Sequence, residues 1–445
     1  MTNEQALTIV NSINKEMNSL YDYNFPIFED NNFKAMAGAL QTAPQKIQNA
    51  YIDTLSNLLC VGIIKKVYSA NNPFKFLYGN GVGMAKAQMA DGRVIEEVAI
   101  DQFIPIAYDM KGNAEEFFEG APPQLKVQFL CNVLRKKYVV TLNTDLLIAA
   151  FEDTGSLENM LTAIMDRIYS DMEEDDKEEI ITAINGVIEM GNMYIYPLAR
   201  PADNNTAIEF SKHLDILQYD LGFDRSRDYN LQHISTKTDQ KDAVLILAGD
   251  VIATNANYNL AFAFNKNYLD LLEKGQLIKL SSRGLADKRV YGIYTDKDYF
   301  RINNVNGFPK LKVWENGQNL EEKRWLHNWK MVAFSYASNA IAFVDPADVG
   351  VDSVQLKDED GLTASTVKAG KFKKLALPIV TPVTGKLADC FVEYTLTGAT
   401  SANTRICEDG HIYIGKDETV GGTITITAAS HLDKNKTAVY TITVG

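Results

Sequence analysis

Between Leu157 and Met190 the apolar residues Met160, Leu161, Ile164, Ile168, Met172, Ile180, Ile181, Ile184, Val187 and Ile188 keep a single helical phase. At 1.5 Å per residue this predicts a helix on the order of 50 Å long, the longest element in the chain. Its middle, from Asp171 to Glu179, is strongly acidic. The run lacks the glycine-centred loop of a calcium-binding hand, and a solvated charged face accounts for it without a metal.

The segments before this helix are read from periodicity and breakers. Leu7, Ile9, Val10, Ile13, Met17 and Leu20 form one amphipathic stripe, which predicts an N-terminal helix that needs a partner surface. A second helical stretch runs from Asn32 to Ala70, is interrupted near Pro44, and ends at Asn71-Asn72-Pro73. From Phe74 to Ile106 two strand-like limbs flank Gly79, Gly81, Gly83 and an Asp91-Gly92 turn, predicting a long protruding hairpin. The glycines are not followed by the Gly-Lys-Ser/Thr of a phosphate loop, nor do they fit GxGxxG. An arm needing unusual backbone angles explains them, and its apolar residues require cover from another subunit. After Pro122-Pro123 a short helix is expected, then the strand KKYVVTL, with Asn143 or Thr144 capping a helix from Asp145.

Beyond the long helix, FSKHLDILQYDLGF reads as helix, DAVLILAGDVIA as a buried strand entering a turn, and NLAFAFNKNYLDLLEK as helix. QLIKLSS, RVYGIYTDKDYFRINN and LKVWENGQ read as aromatic-rich strands. EEKRWLHNWKMVAFSYASNAIAFV reads as a helix-flanked strand returning to a sheet left earlier. The composition shifts after Asp345-Pro346. Short strands rich in Val, Ile and Thr, separated by Gly, Asp and Asn turns, predict a separate β-sandwich over 351–445.

Several function classes are disfavoured. A net charge of -13 speaks against a chain whose main work is gripping phosphate backbones. No basic and apolar leader opens the chain and no run of 18 apolar residues occurs, so a cytoplasmic protein outside any membrane is expected. Cys60, Cys131, Cys390 and Cys407 form no CxxC pair and read as reduced packing residues. Two N-x-T triplets, at Asn204 and Asn435, lack a secretory context. No GxSxG, HExxH or Cys-His arrangement is present. The five histidines are scattered, and His327 between Trp325 and Trp329 reads as a packed residue. No catalytic, cofactor-binding or metal-ligating residue is assigned.

Two resemblances follow from these segments. The 351–445 region resembles the bacterial Ig-like domain of group two. It shares the Val-x-Ser-Val-x-Leu opening, Gly370 before Leu375, Thr381-Pro382, Glu408-Asp409-Gly410, Gly422-Thr423-Ile424-Thr425 and the closing Tyr440 to Val444. Tyr394 stands where that family usually has tryptophan, and Cys390 with Cys407 do not reproduce the antibody disulfide pattern. The first 345 residues resemble the tailed-phage capsid fold of the Hong Kong 97 type. The nearest stretches, KKYVVTLNTDLLIAAF, DAVLILAGDVIATNANYNLAFAFNKN and LHNWKMVAFSYASNAIAFVDP, look like those of phi-twenty-nine-like podovirus major capsid proteins carrying such a tail domain.

The resemblance implies an α+β chain divided as follows: an N-terminal arm and helices (1–70), an extended loop (71–106), a peripheral domain with a spine helix (107–191 and 266–345), an axial domain (192–265) and an Ig-like sandwich (351–445). It implies self-assembly as pentamers and hexamers into an icosahedral head shell. A scaffolding protein and a portal protein would be partners, and double-stranded DNA would be enclosed without sequence-specific binding. The loop residues Phe74, Phe76, Gly79, Gly81, Gly83, Asp91 and Gly92 become the expected contact with a neighbouring subunit. Lys75 and Lys86 lie in this loop, but no partner for a covalent cross-link is identified. The alternatives are an encapsulin-type nanocompartment, a group that seldom carries an Ig-like domain, and a surface adhesin, which needs export.

Overall fold

The computed structural model describes residues 3–21, 23–29, 34–44, 46–48, 50–51, 54, 85–88, 95–100, 125–130, 133–142, 156–223, 226–254, 276–280, 285, 287–304, 310–315 and 322–445. The long helical phase becomes one helix, Ser156–Glu189, of 34 residues. It is preceded by helices α1 (Asn3–Tyr21) and α2 (Lys34–Thr42), so we number it α3; α4 follows at Asn204–Phe223. Among the described residues, twelve strands accompany them up to Val344. In chain order these are β1 (Ala85–Gln88), β2 (Ile95–Ile100), β3 (Leu125–Leu130), β4 (Val133–Leu142), β5 (Tyr194–Pro197) and β6 (Ala243–Leu247). The series continues with β7 (Gln276–Lys279), β8 (Val290–Asp296), β9 (Phe300–Asn304), β10 (Lys310–Glu315), β11 (Glu322–Phe334) and β12 (Ala340–Val344).

At the N-terminus α1 buries Val10, Ile13 and Met17, three members of the expected stripe, whereas Leu20 in the last turn is 64% exposed. The same helix grips an extended segment by side-chain amides that imitate a neighbouring strand. Asn11 and Asn18 each donate to and accept from the backbone of Phe28 and Phe25, and Asn14 donates to the Pro26 carbonyl. Backbone groups left without secondary-structure partners are satisfied this way.

A five-stranded mixed sheet, ordered β5-β12-β8-β6-β7, forms the centre. Strand period sends alternate residues to opposite faces. Val244 and Ile246 of β6, with Ala340, Ala342 and Val344 of β12, pack on Ile180, Ile184, Val187 and Ile188 of α3. Leu245 and Leu247, with Ile341 and Phe343, pack on Phe210, Leu214, Leu217 and Leu221 of α4. Every residue of β6 and β12 is therefore buried, which explains why both read as continuous apolar runs instead of alternating ones.

A second sheet places β11 between β10 and β4, with β9 pairing the far end of β11. This is the return to an earlier sheet that the sequence predicted, since β11 runs antiparallel along the whole of β4. Two expectations need correction. The segment after Pro122-Pro123 is the strand β3 and not a short helix: Leu125, Val127 and Phe129 alternate with polar residues, and pairing with β2 decides the matter. Among the described residues no helix flanks the return strand, because β11 is one strand of 13 residues leading by a short turn into β12. The acidic run on α3 is also more than a solvated face. Asp175 accepts from the Tyr138 hydroxyl at 2.8 Å, and Lys136 pairs with Asp175 and Glu179, tying α3 to β4.

Residues 351–445 are all-β. A four-stranded sheet, made of 364–367, 437–444, 423–430 and 392–397, and a three-stranded sheet, made of 372–374, 411–413 and 405–406, share one core. That core holds Val367, Leu375, Ile412, Ile414, Ile424, Ile426, Tyr440 and Ile442, with Tyr394 packed at its margin. Beneath it Asp358 is buried. Burial alone would raise its carboxyl, but Lys373 at 2.9 Å, the Leu362 N–H and the Tyr440 hydroxyl hold it down to about 2. Glu418 behaves alike: burial raises it, and the Thr400 and Thr404 hydroxyls with the N–H groups of Thr400 and Ser401 bring it to about 2. Both folded values lie below the unfolded ones. The stabilisation is thus present above the ordinary carboxylate range and is lost as pH falls toward the folded values. Urea midpoints of the chain are expected to fall steeply between about pH 5 and pH 2, with a shallower fall in Asp358→Asn.

Candidate assembly surfaces

The expected contact residues Phe74, Phe76, Gly79, Gly81, Gly83, Asp91 and Gly92 lie outside the described residues. The described part of that region is backbone pairing: β1 and β2 run antiparallel from Ala85↔Val98 to Gln88↔Ile95, and β2 continues into pairing with β3. Asp91 and Gly92 stand in the sequence between β1 and β2. The expected helix NLAFAFNKNYLDLLEK and the caps at Asn143 and Thr144 also fall outside the described residues.

Helix α4 has two apolar faces where a surface helix needs one. The inner face fills the core described above. Its outer face carries Ile208, Ile216, Tyr219 and Phe223, at helical spacing along one stripe, exposed by 41%, 41%, 72% and 86%. Single exposed apolar residues are ordinary, but a stripe ending in two neighbouring aromatic rings marks an interaction surface. Seven apolar residues in the helical text FSKHLDILQYDLGF were a sequence signal for it, hidden because the inner face alone satisfied a helical period.

The all-β unit is fixed to the body through a buried carboxylate that no sequence argument singled out. Helix α3 ends at Gly191, whose φ of +72° suits glycine. A side chain there would also run into Ala388 and Asp389 at 3.2 Å. Cys390 donates its N–H to the Gly191 carbonyl at 2.9 Å, and its thiol points to the same oxygen at 3.0 Å. Asp389, whose side chain is fully buried, accepts from the Ile195 N–H at 2.6 Å and meets His431 Nε2 at 2.7 Å. Tyr194 of β5 stacks on the His431 ring at 4.3 Å and meets Phe391 edge-on at 5.3 Å. Burial pushes the Asp389 carboxyl up, against the pull of His431 and the N–H groups of Ile195 and Phe391, and pushes the Cys390 thiol up to about 12. Such a thiol is inert packing.

Among the described residues no group of His, Cys, Asp and Glu could hold a metal ion, and no helix is long and apolar enough to cross a membrane.

Residues 10–344 match the model of the Phi29-like phage major capsid protein family. The chain is similar to the major capsid protein of Bacillus phage PZA, 27% identical over 428 residues, covering 95% of this chain and 90% of that one. It is also similar to the major capsid protein of Bacillus phage B103, 25% identical over 78% of this chain and 74% of the relative. Among solved structures, the capsid of Staphylococcus phage Andhra aligns with a TM-score of 0.46 at 14% identity, over 60% of this chain and 84% of that one.

Proposed function

The chain belongs to the Phi29-like phage major capsid protein family and is a structural subunit of the phage head shell, and from that premise we propose how its parts are used. As a virion component it is assembled in the host cell, so its exposed surfaces must meet further copies of itself. The observation that carries the reading is the outer stripe of α4, an apolar surface on a chain that assembles. That stripe packs against a neighbouring copy.

The finer reading is a capsid subunit of the Hong Kong 97 type. The long α3 braced on β4, together with the β1-β2 hairpin, supports this. In this reading 107–191 and 266–345 are the peripheral domain, 192–265 the axial domain, and 71–106 the loop that lays Phe74, Phe76 and Gly79 to Gly92 across a neighbour. The two-sheet core of 351–445 supports a group-two Ig-like domain, and the Asp389 contact supports a tail domain carried at a fixed angle. Scaffolding and portal proteins are the proposed partners, with double-stranded DNA inside the shell. The test is to express the chain alone and with the scaffolding protein of its phage, followed by negative-stain microscopy and sedimentation. Closed shells or hexameric sheets are the expected result; a monomer under every condition would overturn the reading.

A further inference from the structure

The sheet formed by β10, β11 and β4 has two unlike faces. Lys136 and Tyr138 reach α3, and Leu326, Asn328 and Lys330 are buried. On the opposite face Arg135, Lys137 and Val139 are exposed and Trp325, His327 and Trp329 are half-buried. The register sets Arg135 beside Trp329, Lys137 beside His327 and Val139 beside Trp325. The Arg135 guanidinium lies 4.7 Å from the Trp329 ring centre and the Lys137 ammonium 6.0 Å from that of Trp325. On the third strand, Lys310 and Lys312 are the register partners of His327 and Trp325, and Trp314 is that of Lys323. Every tryptophan of the chain thus occupies a register position on this face. The register positions of this face include no carboxylate in a chain of net charge -13.

We propose that this face lies against the phosphate backbone of double-stranded DNA held inside the shell, gripping it by charge without reading sequence. The inference rests on the reading of the chain as the wall of a DNA-filled head. Along a strand, same-face residues recur about every 6.8 Å, so Arg135 and Lys137 stand one such step apart, a spacing suited to a uniformly charged rod. A broad sheet face cannot enter a groove in the way a helix or a two-stranded ribbon does. Lysine is depleted at protein–protein contacts and enriched at DNA contacts, which favours DNA over an acidic protein segment. Trp329 and Trp325 hold Arg135 and Lys137 in place, limiting the side-chain entropy lost on contact.

The test measures binding of a mixed-sequence DNA duplex to the full chain by fluorescence anisotropy across a salt series. Arg135→Ala/Lys137→Ala is compared with Lys368→Ala/Lys371→Ala, which removes equal charge from exposed positions of the all-β unit. The first variant is expected to bind at least about tenfold more weakly, with a log–log salt slope shallower by about 2, and the second to match wild type. Equal behaviour of the two variants would overturn the proposal. So would a first variant that binds DNA normally but no longer forms shells, since the face would then be a protein contact. Shells that assemble normally while the DNA affinity of wild type and first variant coincide would sink this inference alone and leave the capsid reading standing.

Discussion

Asp389→Ala is expected to free the all-β unit from the body and to cost roughly 3–5 kcal/mol of stability, the usual consequence of removing one partner from a buried polar pair. The Ile195 N–H and the His431 ring nitrogen lose an acceptor in a place water does not reach, and each such orphan costs about 1–3 kcal/mol. Tyr194 then stacks on a ring that has lost its hydrogen bond and keeps only the edge-on contact with Phe391. Urea melts should show the loss directly. Limited proteolysis should show new cutting between Asp345 and Val351, where the two units join. A variant that melts and resists cutting like wild type would mean that apolar contacts such as Leu387 against the α3 core hold the unit without the carboxylate.

Tyr219→Asp/Phe223→Asp is expected to leave the subunit folded and stop it forming shells. Both side chains project from α4 with most of their surface in solvent, so the folded monomer loses little and its melting should shift by no more than about 0.5 kcal/mol. At a contact between copies, each aromatic anchor is worth on the order of 1–2 kcal/mol, and a buried carboxylate adds a penalty. The concentration needed for assembly should rise about 100-fold or more, read by sedimentation beside circular dichroism of the unassembled chain. Normal shells from this variant would move the contact elsewhere.

What could be read from the sequence depended on how local the cause was. The long helix was legible because thirty-odd residues repeat one period, and β6 was legible because a strand covered on both faces is apolar throughout. The turn-rich tail after Asp345 announced an all-β unit through residues that act within a few positions of themselves. The helix expected after Pro122-Pro123 failed because Leu125 to Leu130 is too short for its own pattern to decide, and pairing with β2 decides it instead. Family membership was legible too, through the order of elements and the stretches around β4, β6 and β11.

The sites depended on distance. Asp389 lies 42 residues from His431 and 194 from Ile195 in the chain, and only folding makes the three a single polar contact. The outer stripe of α4 stands apart from the inner one only once the five-stranded sheet has taken its share. The cationic face exists only because β10, β11 and β4 align in one register. Periodicity and breakers, which act over a few residues, determined the elements of this protein. Burial and pairing act between residues far apart in the chain, so only the tertiary structure decided which carboxylate is locked away, which apolar stripe is left over and which charges share a face.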